Sequence, residues 1–351
     1  MTIQVVDFFS GCGGTSCGFQ AAGLEILAGL DIDTEAAATF KKNFPTAYFI
    51  EGDVRKLDTA ILEPLIGPRN YPLLFAGCAP CQPFSRQNRT TSQTDPRRTL
   101  LKEFGRFVET WMPDYVFVEN VPGIQRIQKS GPLYYFQRLL KKLGYHSECG
   151  VVPALWYGVP QKRERLVLLA SRHSAIQIPN PTHGPGMPEG PYTTVADWIQ
   201  NLPPIEAGET HYLDKDHVAA ALTELNLKRI RATPEGGGRG DWPQSLWLNC
   251  HKAYSGHSDV YGRLCWDRQA SGLTTRCISY SNGRFGHPSQ DRAISVREAA
   301  CLQTFPREYK FVGSISSRAR QIGNAVPPKM AEVFGRAFLS SSLEHNTVKP
   351  V

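Results

Sequence analysis

An α/β fold, with a mostly parallel sheet covered on both faces and a smaller irregular domain attached, is predicted by three features of the 351-residue sequence. Short apolar runs alternate with amphipathic stretches over the first 175 residues, the pattern of strand–helix–strand units. After Ser171 the texture turns irregular, with a proline- and glycine-rich stretch at 178–191 and little periodicity from 180 to 285. From Ser295 helical patterning returns.

The elements follow in order. Residues 3–8, 26–30, 48–50, 73–76, 115–118 and 166–170 have strand length and β-branched or aromatic content. Residues 34–44 read as a helix between the second and third strands. In 100–111 the apolar residues Leu100, Leu101, Phe104, Phe107, Val108 and Trp111 recur near a 3.6-residue period. Leu133, Phe136, Leu139, Leu140 and Leu143 do the same in 133–143. The return at the C-terminal end consists of helices over 296–302 and 328–339, the latter opened by two prolines. The expected division is one α/β domain from 1–175 and 286–351, interrupted by an insert at 176–285.

Composition bounds the function. No apolar run approaches the roughly 18 residues of a membrane span, and no charged leader precedes an apolar stretch, so a cytoplasmic setting is expected. Nine cysteines without a repeating spacing read as reduced thiols. The net charge of +7 is uneven: residues 1–65 carry 4 basic and 9 acidic side chains, and the remainder 35 and 23. Such asymmetry hints at a polyanionic partner for the later segments.

Chemistry-bearing residues fall at the expected strand ends. Asp7-Phe8-Phe9-Ser10-Gly11-Cys12-Gly13-Gly14 follows the first strand, where glycines let a backbone approach a ligand or simply turn into a helix. Asp31 ends the second strand and suits a ribose diol. Asp53 follows the third and could accept from an adenine amino group, although strand-end acids also serve as turn formers and caps. Three such positions in a row favour an adenosine-containing cofactor, because open α/β sheets bind ligands at their carboxyl edge.

The fourth strand runs into Gly77-Cys78-Ala79-Pro80-Cys81-Gln82-Pro83. A structural zinc would need two further ligands at compact spacing, and the sequence offers no second pair; the flanking prolines suit a rigid loop presenting one thiol. Glu119 ends the fifth strand after four apolar or aromatic residues, a partly dry setting suited to acid/base work or to a capping or paired role. Arg163 and Arg165 alternate at period two, which would put both on one face.

Taken together these segments resemble the DNA (cytosine-5)-methyltransferase family. Residues 9–14, Asp31, Asp53, Pro80-Cys81-Gln82, Glu119-Asn120-Val121, Gln161-x-Arg163-x-Arg165, Thr274-Thr275 after Arg268, and Gly323-Asn324-Ala325-Val326-Pro327 match its motifs in order. The match covers 4–172 and about 265–339. It implies a Rossmann-like methyltransferase sheet, S-adenosyl-L-methionine as cofactor, and double-stranded DNA as substrate. Cys81 would attack C6 of a flipped-out cytosine, Glu119 would protonate or hydrogen-bond N3, and Arg165 would lower the thiol pKa and contact O2, with Arg163 completing the catalytic set. The cofactor pocket would comprise Phe9 on adenine, Gly11, Gly14, Asp31, Ile32, Asp53, Val54, Pro80 and Asn324.

By the same resemblance the insert would be a target-recognition domain. Arg229, Arg231, Arg239, Asn249, His251, Arg276 and Asn282 are its candidate base readers, since arginine favours guanine and asparagine favours adenine. The polar stretch 85–99, with Arg86, Arg89, Arg97 and Arg98, reads as a loop closing over DNA, with Gln87 filling the vacated stack, or as a solvated loop. Arg126, Lys129, Arg138, Lys141 and Lys142 read as a solvated helix face. A bacterial or phage modification enzyme is implied, monomeric, working alone or beside a restriction endonuclease. The alternatives are the same fold acting on tRNA, against which no cysteine is followed by Phe-Thr, and a silent DNA-recognition module, against which the catalytic set is intact. A nicotinamide oxidoreductase leaves the Pro-Cys-Gln and Glu-Asn-Val motifs unexplained.

Overall fold

A computed structural model describes residues 2–79, 99–123, 131–249 and 259–347. The first compact unit comprises residues 1–153, 164–181 and 326–351, and the second 154–163 and 182–325. In the first unit, β1 (Gln4–Phe8), β2 (Glu25–Asp31), β3 (Tyr48–Glu51), β4 (Leu73–Gly77), β5 (Tyr115–Asn120), β6 (His146–Pro153) and β8 (Glu164–Ser171) form one sheet in the order β3-β2-β1-β4-β5-β8-β6. β1 to β5 are parallel, and β8 runs antiparallel to both neighbours. The chain reverses its direction of travel across the sheet between β1 and β4, so their carboxyl ends define the crevice where such sheets bind ligands.

Strand alternation sorts the side chains between two faces. Val6, Phe8, Phe75, Val116, Val118 and Leu168 point into a core shared with Phe104, Phe107 and Phe136, from α4 (Leu100–Trp111) and α5 (Pro132–Lys142). On the other face Phe117 meets Phe19 of α1 (Gly14–Ala21) and Phe334 of the terminal helix, ring centroids 5.4 and 5.5 Å apart. α2 (Thr34–Asn43) is capped by Asp33, whose carboxylate accepts from the Glu35 and Ala36 amides, and a short α3 (Glu63–Ile66) precedes β4. The six predicted strands are all present. The seventh, β6, was not predicted: it is an edge strand with an exposed or half-buried face along most of its length, so its apolar signal is weak.

The second unit holds α6 (Val195–Ile199), α7 (Glu224–Arg231), α8 (Val296–Leu302), α9 (Ile315–Asn324) and a parallel pair of two-residue strands, β7 (Gln161–Lys162) and β9 (Ala270–Ser271). The terminal helix, α10 (Pro328–Thr347), returns to the first unit. An apolar cluster of Ile230, Trp242, Tyr280 and Ala293 is supplemented by buried ions. Arg292 forks onto both oxygens of Glu298 at 2.7 Å, and Arg297 reaches Asp214 at 2.6 Å and Asp216 at 3.3 Å. These contacts differ from the sequence-based boundary at 285. Arg297 is tied to 214–216, and the Val296 amide donates to the Val218 carbonyl, so α8 and α9 cluster with the second unit as far as Ala325.

Candidate active site

The carboxyl ends of β1 and β2 are built around a strained loop. Phe9, Gly11 and Gly13 all have positive φ, at 58°, 52° and 89°; for Phe9 this left-handed geometry carries a steric cost that the surrounding structure must hold. Asp31 supplies that hold, accepting from the Gly11 amide at 2.8 Å and the Asp33 amide at 2.9 Å. Burial nevertheless pushes its carboxyl up from the usual range. Beneath the loop Asp7 is fully buried and accepts from the Ser16 hydroxyl on α1 at 2.7 Å. Its other oxygen and the buried Ser10 hydroxyl have no hydrogen-bond partner among the described residues, and burial drives the Asp7 pKa up to about 7.

Above this loop the geometry fits an adenosine-type ligand. A Cβ placed on Gly11 would meet no atom within 4 Å, so the backbone borders open space. Ile32 is 62% exposed at the end of β2, an apolar surface of the kind a flat base covers. Gly14 opens α1, and Val54 is buried in the core beside the β3 end rather than facing solvent. Asp53 is gripped by its neighbour Arg55, with contacts of 2.6 to 3.0 Å, which hold its carboxyl below the usual range. Meeting an adenine amine would therefore require Asp53 to share Arg55. Asn324, exposed at the end of α9, belongs to the second unit.

At the end of β5, Glu119 is 8% exposed, and its Oε1 lies 2.6 Å from Nε of Arg165, which enters β8 one strand away. The contact is an ion pair whose N–H does not line up with Oε1, leaving that oxygen without an aligned donor. Asn120 next to it donates to the Ala79 carbonyl at 3.3 Å and accepts from the Val121 amide at 2.7 Å. This side chain ties the end of β5 to the residues leaving β4, a positioning role that a sequence pattern does not reveal.

Cys78, half-buried, holds its thiol 3.4 Å from the Thr15 hydroxyl. Burial and the nearby Glu119 and Asp7 raise its pKa well above the ordinary thiol value, which makes it a poor nucleophile. Pro80, Cys81, Arg86, Gln87, Arg89, Arg97 and Arg98, with Arg126, Lys129 and His251, lie outside the described residues. None of the seven described cysteines forms a disulfide.

Arg163 departs from expectation. The strand is interrupted there, since β7 ends at Lys162 and β8 begins at Glu164, so the period-two argument that put Arg163 and Arg165 on one face does not apply. The Arg163 guanidinium donates to the carbonyls of Leu273, Gly323 and Ala325. Gly323 in turn packs so closely on the Thr274 carbonyl that a Cβ would sit 2.1 Å from it. Gln161 donates to the Leu302 carbonyl and accepts from the Leu273 amide. Three of the motif segments thus converge to fasten the second unit together.

Among the candidate base readers, Arg229 is 5% exposed, donates to the Leu246 carbonyl and lies over Trp242 and Tyr261; it is a packing residue. Arg231 pairs with Asp291. Arg239 begins a short 3₁₀ turn, while Arg276, Asn249 and Asn282 are exposed or half-buried. On α5, Arg138 lies over Tyr134 and Lys142 pairs with Glu109, as expected of a solvated face.

A Rossmann-like α/β sheet with a glycine-rich loop at its switch point and a Glu119–Arg165 ion pair one strand further on defines the class, that of S-adenosylmethionine-dependent methyltransferase folds. The profile of C-5 cytosine-specific DNA methylases matches residues 3–340, and the chain belongs to that family. It is 41% identical over 358 residues to the type II methylase M.HgiDII of Herpetosiphon aurantiacus, covering 99% of each chain. To the type II methyltransferase M1.HphI of Haemophilus parahaemolyticus it is 32% identical, covering 97% of this chain and 87% of the other. In fold it is similar to a putative DNA modification methyltransferase encoded within a prophage of E. coli, with TM-score 0.76, 24% identity and 96% and 99% coverage. The chain is thus a cytosine-C5 DNA methyltransferase.

Proposed function

We propose that the enzyme methylates C5 of a cytosine within one short sequence of double-stranded DNA, through covalent addition of Cys81 to a flipped-out base. The observation that carries this reading is the ion pair of buried Glu119 with half-buried Arg165 at the carboxyl edge of the sheet, one strand from the segment that leads to Cys81. S-adenosylmethionine, when bound, supplies an electrophilic methyl group. Phe9, Gly11, Gly14, Asp31, Ile32, Asp53, Val54 and Pro80 are its proposed cradle, supported by a Ser10 hydroxyl and an Asp7 oxygen that have no hydrogen-bond partner among the described residues.

C5 of cytosine is a weak nucleophile. Addition of the Cys81 thiolate forms an S–C6 bond and moves the ring electrons toward C5, while Glu119 shares a proton with N3 and Arg165 holds Glu119 in place. Once C5 is substituted, its proton leaves to solvent, the double bond re-forms and Cys81 departs with its electron pair. A stacked base cannot reach the thiol, so the cytosine is extruded from the duplex, with Arg86, Gln87 and Arg97 contributing to closure over DNA and Arg239 and Arg276 contributing from the 176–285 segment. The enzyme acts as a monomer in the bacterial cytoplasm at the nucleoid, in some settings beside a cognate restriction endonuclease; its type II relatives support that setting.

Bisulfite sequencing of a bacterial host lacking cytosine methylation, after expression of the chain, tests the reading directly. Dense methylation in one context is expected, and a genome left unmethylated by soluble protein would overturn it. Cys81→Ala should abolish transfer and trapping on 5-fluorocytosine duplex while retaining cofactor binding. Substantial turnover in that variant would remove Cys81 as nucleophile.

A further inference from the structure

In the second unit a concavity of about 400 Å³ is lined by Thr275, Arg276, Ser279, Ser281, Asn282 and Asn226, together with apolar side chains that include Leu222 and Ile278. Its size falls within the usual range for ligand sites. We propose that it is a base-reading pocket in which Arg276 recognises a guanine of the target duplex, with Asn282 as the positioning residue of that arginine. The inference rests on the proposed DNA methylation and deepens it by naming a contact that selects the sequence.

Arg163 and Arg229 in this unit are buried and donate to main-chain carbonyls. Arg263, Arg284, Arg292, Arg297 and Arg318 each contact a carboxylate. Arg276 is exposed and is oriented by a neutral group: it donates to the Asn282 side-chain oxygen at 3.4 Å. The Asn282 amide nitrogen donates to Ser279 at 2.6 Å and to Ser281 at 3.3 Å, so the amide is itself fixed. The Arg276 amide donates to the Thr274 hydroxyl at 3.3 Å, and Tyr280 is buried with its hydroxyl 2.8 Å from that of Thr233. The result is an exposed planar cation oriented by Asn282, with no carboxylate contact among the described residues. Bidentate recognition of guanine O6 and N7 calls for that combination.

The test compares methylation contexts of the wild type, Arg276→Ala, Arg276→Gln and Asn282→Ala by bisulfite sequencing in a methylation-free host. Arg276→Ala should lose discrimination at one guanine position by roughly 5- to 150-fold, with the other positions unchanged. Asn282→Ala should relax the same position less. Should Arg276→Ala prove insoluble, Arg276→Gln decides the matter, with relaxed or adenine-shifted reading expected at that position. An unchanged context, or a uniform loss across contexts with a shallower salt dependence of DNA binding, would make Arg276 a backbone contact and overturn the pocket. A host left unmethylated by the wild type would overturn the activity reading itself, whereas a methylated genome with unaltered context overturns the pocket alone.

Discussion

Two buried carboxyl groups in the first unit are arranged for different ends. Glu119 has a cation at 2.6 Å and an oxygen without an aligned donor, the arrangement of a group that meets a further partner. Glu119→Gln keeps the shape and removes the acid. Methyl transfer to a duplex oligonucleotide should fall roughly 10²- to 10⁴-fold while calorimetric cofactor affinity stays constant; a loss within threefold would exclude Glu119 as the acid. Asp7 has no ion-pair partner among the described residues, and burial raises its pKa to about 7. The folded state therefore keeps a proton that the unfolded chain releases above about pH 4. Stability falls as pH rises from 4 to 7, by roughly 4 kcal/mol in full above pH 7. Asp7→Asn should match the wild type in urea unfolding at pH 4 and exceed it at pH 8. Asp31 and Glu119 were legible as strand-end acids; the orphaned oxygen of Asp7 was not, because burial is set by neighbours distant in sequence.

At the level of elements, close approach decides which residues are allowed. Gly18 lies in the middle of α1, where alanine ordinarily stabilises a helix by up to about 1 kcal/mol. Here a Cβ would stand 2.2 Å from the Pro328 carbonyl at the start of α10 and 2.6 Å from Ala331. Gly18→Ala should therefore destabilise the first unit by roughly 1–3 kcal/mol, reversing the sign that propensity predicts, and a higher unfolding midpoint would show that the two helices part without cost. Gly323 against Thr274 presents the same situation in the second unit. α4 and α5 were readable from periodicity, since each buries one face. β6 was not, since an edge strand with little buried apolar surface has no alternation to read.

Across the whole molecule the two units respond to acid in opposite directions. His287 in the second unit is pushed down to about 4 by burial, and His217 is lowered for the same reason. The unfolded chain binds a proton below pH 6.5 that folded His287 refuses until about pH 4, so stability is lost as pH falls through that window. Between pH 7 and 5 this amounts to roughly 2 kcal/mol for His287, while Asp7 contributes about 2 kcal/mol in the opposite sense to the first unit. Hydrogen exchange corrected for intrinsic rates should show α8 amides less protected at pH 5 and β1 amides more protected. Equal changes in both would mean that the units unfold together.

The amino-acid sequence by itself determined the parallel α/β sheet, the strand ends that carry chemistry and the family, because alternation, helical periodicity and motif order are local properties of the chain. Arg163 shows where that information stops. Two arginines at i and i+2 look equivalent on paper, yet one is fastened to three carbonyls more than a hundred residues away and the other faces Glu119. The same holds for Arg229 and Arg276, both candidate readers, one packed between aromatic rings and the other exposed at a pocket. Only tertiary structure made these distinctions, because a guanidinium's role depends on which acceptors reach it first, and those acceptors come from segments whose proximity is fixed by packing.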